Sequence, residues 1–464
     1  MRLDRKWIGV TRSEANDMEE SVALPRVNVF WIIWCGQLIS IVGSGLTAFA
    51  LGIWVYQHTG EVAQFGIVAT FAVLPGILLA PFAGALVDRW DRRTTLILSD
   101  LGGALSTLAL VLLIHFGKLE LWQIYIAVCV DACCTVFRWP ALLAATSLLV
   151  PGEQLGRTNG LAQIAQAGSK ILSPVIAGAL MVAVGLSSVL FVDFITFLFA
   201  IATLLIVQIP LPSAIGEPTG PGNGALLKQI SYGWAYVVQR PGLLGLMVFF
   251  ALTNLLIGLV TVLVTPMVLN YASAAVLGTV VTIGGSGLLA GGLAMSIWGG
   301  PRPRIYGVLG FEIMCGFTLI AAGIRPSLVV LTVAAFLFFF SLQIINGSAV
   351  AILQAKVAPD VQGRIFSLCG MIASSSAPLA FLLAGPLADR VFEPLLLVHG
   401  VLANSVGRII GVGPGRGIGL MFIISGLLTI LLGIGGFFHP KLKNLEKELP
   451  DLGLPQLVSE VQEN

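Results

Sequence analysis

Charged side chains are scarce in this sequence: 25 Lys and Arg and 23 Asp and Glu among 464 residues, 10% of the chain, where soluble domains carry about 25%. That shortage excludes an ordinary soluble fold. The formal net charge is only +2, with no basic stretch interleaved with aromatics and no acidic tail block, so nucleic acid is not an expected partner. Cysteine is sparse too. Cys35, Cys129, Cys133, Cys134, Cys315 and Cys369 all fall inside apolar runs, where a free thiol packs as a small hydrophobe. His58, His115, His399 and His439 are too scattered for a local zinc site, so neither a metal nor a cofactor is expected. No GxxxxGK[ST] phosphate loop occurs, and the glycine-rich GVGPGRGIG at 411–419 has no strand before it, which argues against ATP as energy source.

Hydrophobic residues make up 57% of the chain. Windows of about 19 residues give expected membrane spans at 27–56, 62–87, 94–114, 122–149, 158–184 and 186–208, then at 242–269, 273–298, 305–323, 328–356, 362–388 and 416–438. The expected class is all-α: a polytopic membrane protein of 12 transmembrane helices in two six-helix bundles. Residues 1–26 form a polar tail, 27–208 the first bundle, 209–241 a linker, 242–438 the second bundle and 439–464 a second tail. The linker opens with IPLPSAIGEPTGPGNG, which cannot continue a helix. The apolar run from Val27 is too long for a signal-peptide core and is expected to stay as the first span.

Lys and Arg resist translocation and mark the cytoplasmic side. With both termini inside, 18 of the 25 fall in cytoplasmic segments and 5 outside; Arg138 and Lys170 remain within spans. The halves also look like copies. VPGEQLGR at 150–157 matches VAPDVQGR at 357–364, so that Gly156/Gly363 and Arg157/Arg364 stand 207 residues apart, and the same offset carries Gly178 onto Gly385. A shift of 208 carries Trp90 onto Trp298 and puts Ser296 opposite Asp88. Duplicated halves with a substrate site at their interface are a common transporter plan.

The segment GALVDRWDRR, with Gly84, Asp88, Arg89, Arg92 and Arg93, resembles the signature cytoplasmic loop of the major facilitator superfamily. Gly84 lets two helices approach, Asp88 can cap a neighbouring helix, and the arginines can anchor at headgroups. Within that superfamily RWPALLAATSLLVPGEQLGRTNGLAQ, KVAPDVQGRIFSLCG and PLAFLLAGPLADRVFEPLL look like the macrolide-efflux and enterobactin-exporter branch. The resemblance implies the major facilitator fold and a monomer in the plasma membrane of a bacterium. It also implies proton-coupled export of amphipathic small molecules, and a loop, with Asp100 grouped to it, that stabilises one of two access states. Arg138 and Lys170 depart from the uncharged residues expected there, and the substrate does not carry over.

Ionisable side chains inside the bilayer cost about 2.5–3.5 kcal/mol on insertion scales unless paired or wetted, and read as functional by default. Asp131, Arg138, Lys170, Asp193 and Glu312 are the candidates. Arg138 and Lys170 fall near mid-span, where they can form a positive patch for an anionic or carbonyl group, with Asp131, two turns from Arg138, as proton carrier. A structural charge network between helices is the competing reading, and Asp193 and Glu312 are expected to be structural. Gln37, Asn254, Gln343 and Asn346 are further cavity candidates, with interhelical hydrogen bonding as the alternative. Pro174 and Pro378 interrupt spans in corresponding halves, and Gly287/Gly291 at GxxxG spacing point to close helix packing. The partners expected are a small-molecule substrate, the lipid bilayer and protons. An uptake permease on the same fold remains the alternative, and a membrane enzyme or channel a remote one.

Overall fold

The computed structural model describes residues 12–87, 90–150, 155–207, 237–357 and 359–448. Among them are twelve long helices: α1 (Arg12–Thr59), α2 (Val62–Val87), α3 (Arg92–His115), α4 (Leu121–Leu149), α5 (Leu155–Ala183) and α6 (Gly185–Ile206), then α7 (Pro241–Leu269), α8 (Ala274–Trp298), α9 (Arg304–Ile324), α10 (Leu328–Lys356), α11 (Pro359–Pro386) and α12 (Arg416–Phe438). Eleven contain a window apolar and long enough to cross a bilayer. The twelfth, α11, has 28 residues, about 42 Å at 1.5 Å per residue, ample for a core of about 30 Å. The all-α class with six plus six long helices is therefore observed.

Two departures from the expected boundaries have local causes. α1 begins at Arg12, inside the expected polar tail, because Glu14, Ala15, Met18, Glu19 and Glu20 favour helix without needing a bilayer. The expected loop at 389–415 is partly helical: a π-helical turn over Leu387–Phe392 follows α11, with short turns at Glu393–Leu396 and Gly407–Ile410. Pro386 and Pro394 flank the distortion, where missing N–H donors break the regular ladder. The linker segment 208–236 and the end segments 1–11 and 449–464 lie outside the described residues.

Within the first bundle α1 packs on α5 and α6, α2 on α4, and α3 on α4 and α6; within the second, α7 packs on α11, α8 on α10, and α9 on α10 and α12. The halves meet along α2/α11 and α5/α8. These seams demand small residues. A Cβ on Gly278 would lie 2.2 Å from Pro174 O, and one on Gly385 would lie 2.1 Å from Ala63 Cα, so the backbones approach as closely as glycine permits. Gly287 and Gly291 likewise face the backbone of α10 at Phe336 and Phe340, the close packing their spacing suggests.

Internal duplication is visible in detail. α4 and α10 each have 29 residues and start 207 apart. Arg92 at the start of α3 donates from Nη1 to Ala144 O at 3.2 Å, and Arg304 at the start of α9 donates from Nη1 to Ala351 O at 3.0 Å. The same brace holds both halves. We call the end of the molecule bearing these arginines the basal face, and the opposite end, where α1 finishes and α2 begins, the distal face.

Candidate functional site

The polar centre of the first bundle is built from α1, α3, α4 and α6. Asp100 on α3 is fully buried and forms an ion pair with Arg138 on α4, Nη1 to Oδ1 at 3.4 Å. From α1, Gln37 Nε2 donates to Asp100 Oδ2 at 2.6 Å, while Arg138 Nη1 donates to Ser40 Oγ at 3.4 Å. The guanidinium also lies 5.8 Å from the centre of the Phe197 ring on α6, within reach of a cation–π attraction. Asp193 on α6 accepts from Thr47 Oγ1 at 2.7 Å and from Thr107 Oγ1 at 3.3 Å. Such pairing is the condition for keeping charge out of water.

Asp131 lies two turns before Arg138 on α4 and is half-buried; its Oδ1 stands against α3 where a Cβ on Gly103 would come within 3.1 Å. The cluster thus sits inside the bundle. Lys170 is exposed on α5, whereas Arg138 is buried inside the bundle. The positive charge of Arg138 is instead matched by Asp100, a residue the sequence groups with the loop arginines. Arg93 of that loop donates to Leu204 O and Leu205 O, both at 2.8 Å, tying α3 to α6. Gly84 is within α2; Asp88 and Arg89 lie outside the described residues.

The capping carboxylate that is described is Asp91, which sequence reasoning passed over. It accepts from Thr94 N at 2.9 Å and Thr94 Oγ1 at 2.6 Å at the start of α3. Burial pushes its carboxyl up, but these bonds and nearby Arg93 outweigh it and hold the pKa below the usual value. An Asp three residues ahead of a Thr before an apolar run was the available signal.

Two cavities adjoin the helices that line the axis. One, of about 300 Å³, lies between the halves and is walled by Phe49 and Gly52 on α1, Phe65 on α2, Val264 on α7, Val281 on α8 and Phe338 on α10, with Thr261, Thr265 and Thr318 as polar points. The other, also of about 300 Å³, lies toward the basal face and brings together Asn254 on α7 and Asn346 on α10 beside Met247, Phe250 and Leu353. Asn254 Nδ2 donates to Phe250 O at 2.8 Å, which leaves its oxygen for another partner. Gln343, half-buried one turn before Asn346, packs against Gly291 and Gly292 of α8.

At the distal face the halves are joined by groups that the sequence did not single out, although Asp389 and Glu393 lie in one of its family-like segments. Asp389, just past α11, accepts from the N–H of Val62 at 3.2 Å and of Ala63 at 2.9 Å at the start of α2. Glu393 accepts from the N–H of Gly415 and of Ile418, each at 3.2 Å, at the start of α12. Tyr56 OH on α1 donates to Asn270 Oδ1 beyond α7 at 3.2 Å. Burial raises the pKa of both carboxyls, opposed by the same backbone N–H bonds.

Twelve long helices in duplicated halves, eleven of them apolar and long enough to cross a bilayer, with cavities between and beside them, fit the class of membrane transporters. The sequence profile of the Major Facilitator Superfamily matches residues 33–381, and the chain belongs to that superfamily of transporters. Macrolide efflux protein A of Streptococcus pyogenes is 29% identical over 370 residues, 78% of this chain and 90% of that protein. Macrolide efflux protein A of Enterococcus faecalis is 30% identical over 314 residues, 66% of this chain and 95% of its own length. The multidrug efflux pump Tap of Mycolicibacterium fortuitum is 26% identical over 440 residues, 89% and 96% of the two chains. Among solved structures, an inward-facing bacterial homologue of the human lysosomal transporter Spinster aligns with a TM-score of 0.67 at 14% identity, covering 91% of this chain and 98% of that one.

Proposed function

We propose that this protein exports amphipathic small molecules, macrolide-like compounds among them, from a bacterial cell by alternating access driven by the proton gradient. The observation that carries the reading is the apolar cavity walled by both halves: any rocking of one bundle on the other changes which face it opens to. Its walls offer aromatic and aliphatic contact with a few hydroxyls, which suits a bulky, weakly polar solute better than an ion. The relatives named for macrolide and multidrug efflux support export over uptake.

In this reading the basal face is cytoplasmic, as the distribution of Lys and Arg suggests, both termini lie inside, and the distal seal marks an inward-facing state. Proton coupling runs through the ionisable centre of the first bundle. Asp131, half-buried and without a close counterion of its own, is the group placed to take up and release the proton, while Asp100 and Arg138 hold the centre together. The experiment is energy-dependent extrusion of a macrolide panel by cells carrying the protein, repeated in everted vesicles under an imposed pH gradient. Wild type accumulates drug in everted vesicles; Asp131→Asn retains drug binding but loses gradient-driven accumulation. Accumulation in right-side-out vesicles instead would identify an uptake permease, and undiminished coupling in Asp131→Asn would remove that residue from the proton path.

A further inference from the structure

The braces made by Arg92 and Arg304 place α3 and α9 in equivalent positions, and eight residues beyond each arginine stands a buried carboxyl: Asp100 in the first half, Glu312 in the second. Each takes a hydrogen bond from the opening helix of its own half. Gln37 Nε2 donates to Asp100 Oδ2 at 2.6 Å, and Thr253 Oγ1 donates to Glu312 Oε1 at 2.8 Å. There the likeness ends. Asp100 has Arg138 on α4, whereas the residue 207 positions on, in the equivalent α10, is the fully buried Ile345.

Glu312 is therefore a carboxyl with one hydrogen-bond donor and no cation. It is 1% exposed, its Oε2 is buried without a hydrogen-bond partner, and no ion pair among the described residues reaches it. The elements packed around it offer no charge nearby. α7 carries no titratable side chain; the one on α10 is Lys356 at the basal end, bonded to Glu446 O at 2.6 Å; the one on α12 is Arg416 at the distal end, bonded to Ile410 O at 2.8 Å. On α9 itself the neighbour is Cys315, whose Sγ donates to Phe338 O at 3.7 Å. An anion so enclosed lacks both water and counter-charge, and such a group exists as the neutral acid.

We infer that Glu312 carries a proton in this conformation and is a proton-binding site of the second half, distinct from the charged centre of the first. Thr253, its donor, is adjacent to Asn254, which lines the basal cavity. A shift of α7 against α9 that admits water to Oε2 lets the O–H bond break heterolytically: the proton passes to water and leaves the carboxylate, which takes one back when the site reopens to the other side. Proton occupancy stands on the geometry alone; its use in transport rests on the proposed proton coupling.

The test is infrared difference spectroscopy on the full-length protein in detergent. Wild type is expected to show the C=O stretch of a protonated carboxylic acid; Glu312→Gln, an isostere of that acid, removes the band, Asp100→Asn leaves it, and Thr253→Val shifts it by removing the hydroxyl donor. A band that neither Glu312→Gln nor Thr253→Val alters overturns the inference. In proteoliposomes Glu312→Gln is expected to lower the number of protons moved per drug by one, and an unchanged ratio overturns the transport role. Absence of any proton movement in wild type would sink the proposed coupling instead, with the infrared band still deciding whether Glu312 is protonated.

Discussion

The carboxylate of Asp389, in the second half of the chain, accepts the backbone N–H of Ala63, in the first half, at 2.9 Å. Because Val62 donates to the other oxygen at 3.2 Å, one side chain caps the start of α2 across the boundary between bundles, where the helix dipole favours negative charge. Opening the distal face must break both bonds. Asp389→Ala is expected to weaken the closed state by about 1.5–3 kcal/mol, the range for a hydrogen bond to a charged group, which is a roughly 10- to 150-fold shift in the open-to-closed ratio. A cysteine at Thr261, in the wall of the inter-half cavity, reports this as faster labelling by a membrane-impermeant thiol reagent from the distal side; an unchanged rate removes Asp389 from the seal.

Closure of the same face should depend on pH. Burial in the closed face raises the Asp389 pKa above its ordinary value and outweighs the Ala63 and Val62 N–H bonds, which lower it; Glu61 adds to the rise and Arg390 opposes it. Burial raises Glu393 as well, against N–H bonds from its own half, with the neighbouring Asp389 adding to the rise. A carboxyl whose pKa is higher in the closed state binds more protons there. The closed state is therefore favoured as pH falls toward the ordinary carboxylate range of about 4, and that advantage is lost as pH rises through the raised values. Labelling at Thr261→Cys should slow as the distal-side pH is lowered, and the slope should flatten in Asp389→Asn/Glu393→Gln. A slope of opposite sign contradicts the assignment.

A steric counterpart follows from Gly385. A Cβ at that position would stand 2.1 Å from Ala63 Cα and 2.6 Å from Ala63 N, and backbone cannot swing aside as a side-chain tip can. Gly385→Ala should hold the distal face ajar, raise the labelling rate and slow export, while Gly245→Ala on α7, whose Cβ would meet nothing within 4 Å, leaves both unchanged. Spin-label distances across α2 and α11 provide the measurement.

Much of the architecture was legible because bilayer crossing imposes one loud signal. Long apolar runs and the 207-residue offset mark twelve helices and their arrangement as two copies. Pairing inside the bundles was not legible. Arg138 and Lys170 share a depth in the sequence, yet which face each helix turns toward its neighbours decides that Arg138 meets Asp100, 38 residues earlier, while Lys170 stays exposed. Hydropathy carries no such azimuth: the apolar helices are hydrophobic nearly all round. Asn254 and Asn346 did converge on one cavity, since polar side chains on helices of that kind turn away from lipid. Asp389 lay in a segment marked by its family likeness, but a carboxylate that caps a helix more than 300 residues away leaves no local pattern. The equivalence of Asp100 and Glu312 was hidden because α3 and α9 are offset by 212 residues, not by the 207 that aligns α4 with α10.

The pairing of Arg138 with Asp100 separates a structural role from a transport role. Arg138→Met leaves Asp100 at zero exposure without its counterion, and breaking a buried pair from one side costs about 3–5 kcal/mol. The variant should therefore unfold at lower temperature in detergent and express poorly. Adding Asp100→Asn removes the stranded charge while Gln37 still has an oxygen to bond, so the double variant should recover most of the lost stability. Export then discriminates: a double variant that is stable and pumps normally makes the pair a brace between α3 and α4, whereas one that is stable but inactive places the charges in the cycle. Thermal unfolding followed by fluorescence, alongside drug accumulation in everted vesicles, measures both quantities on the same preparations.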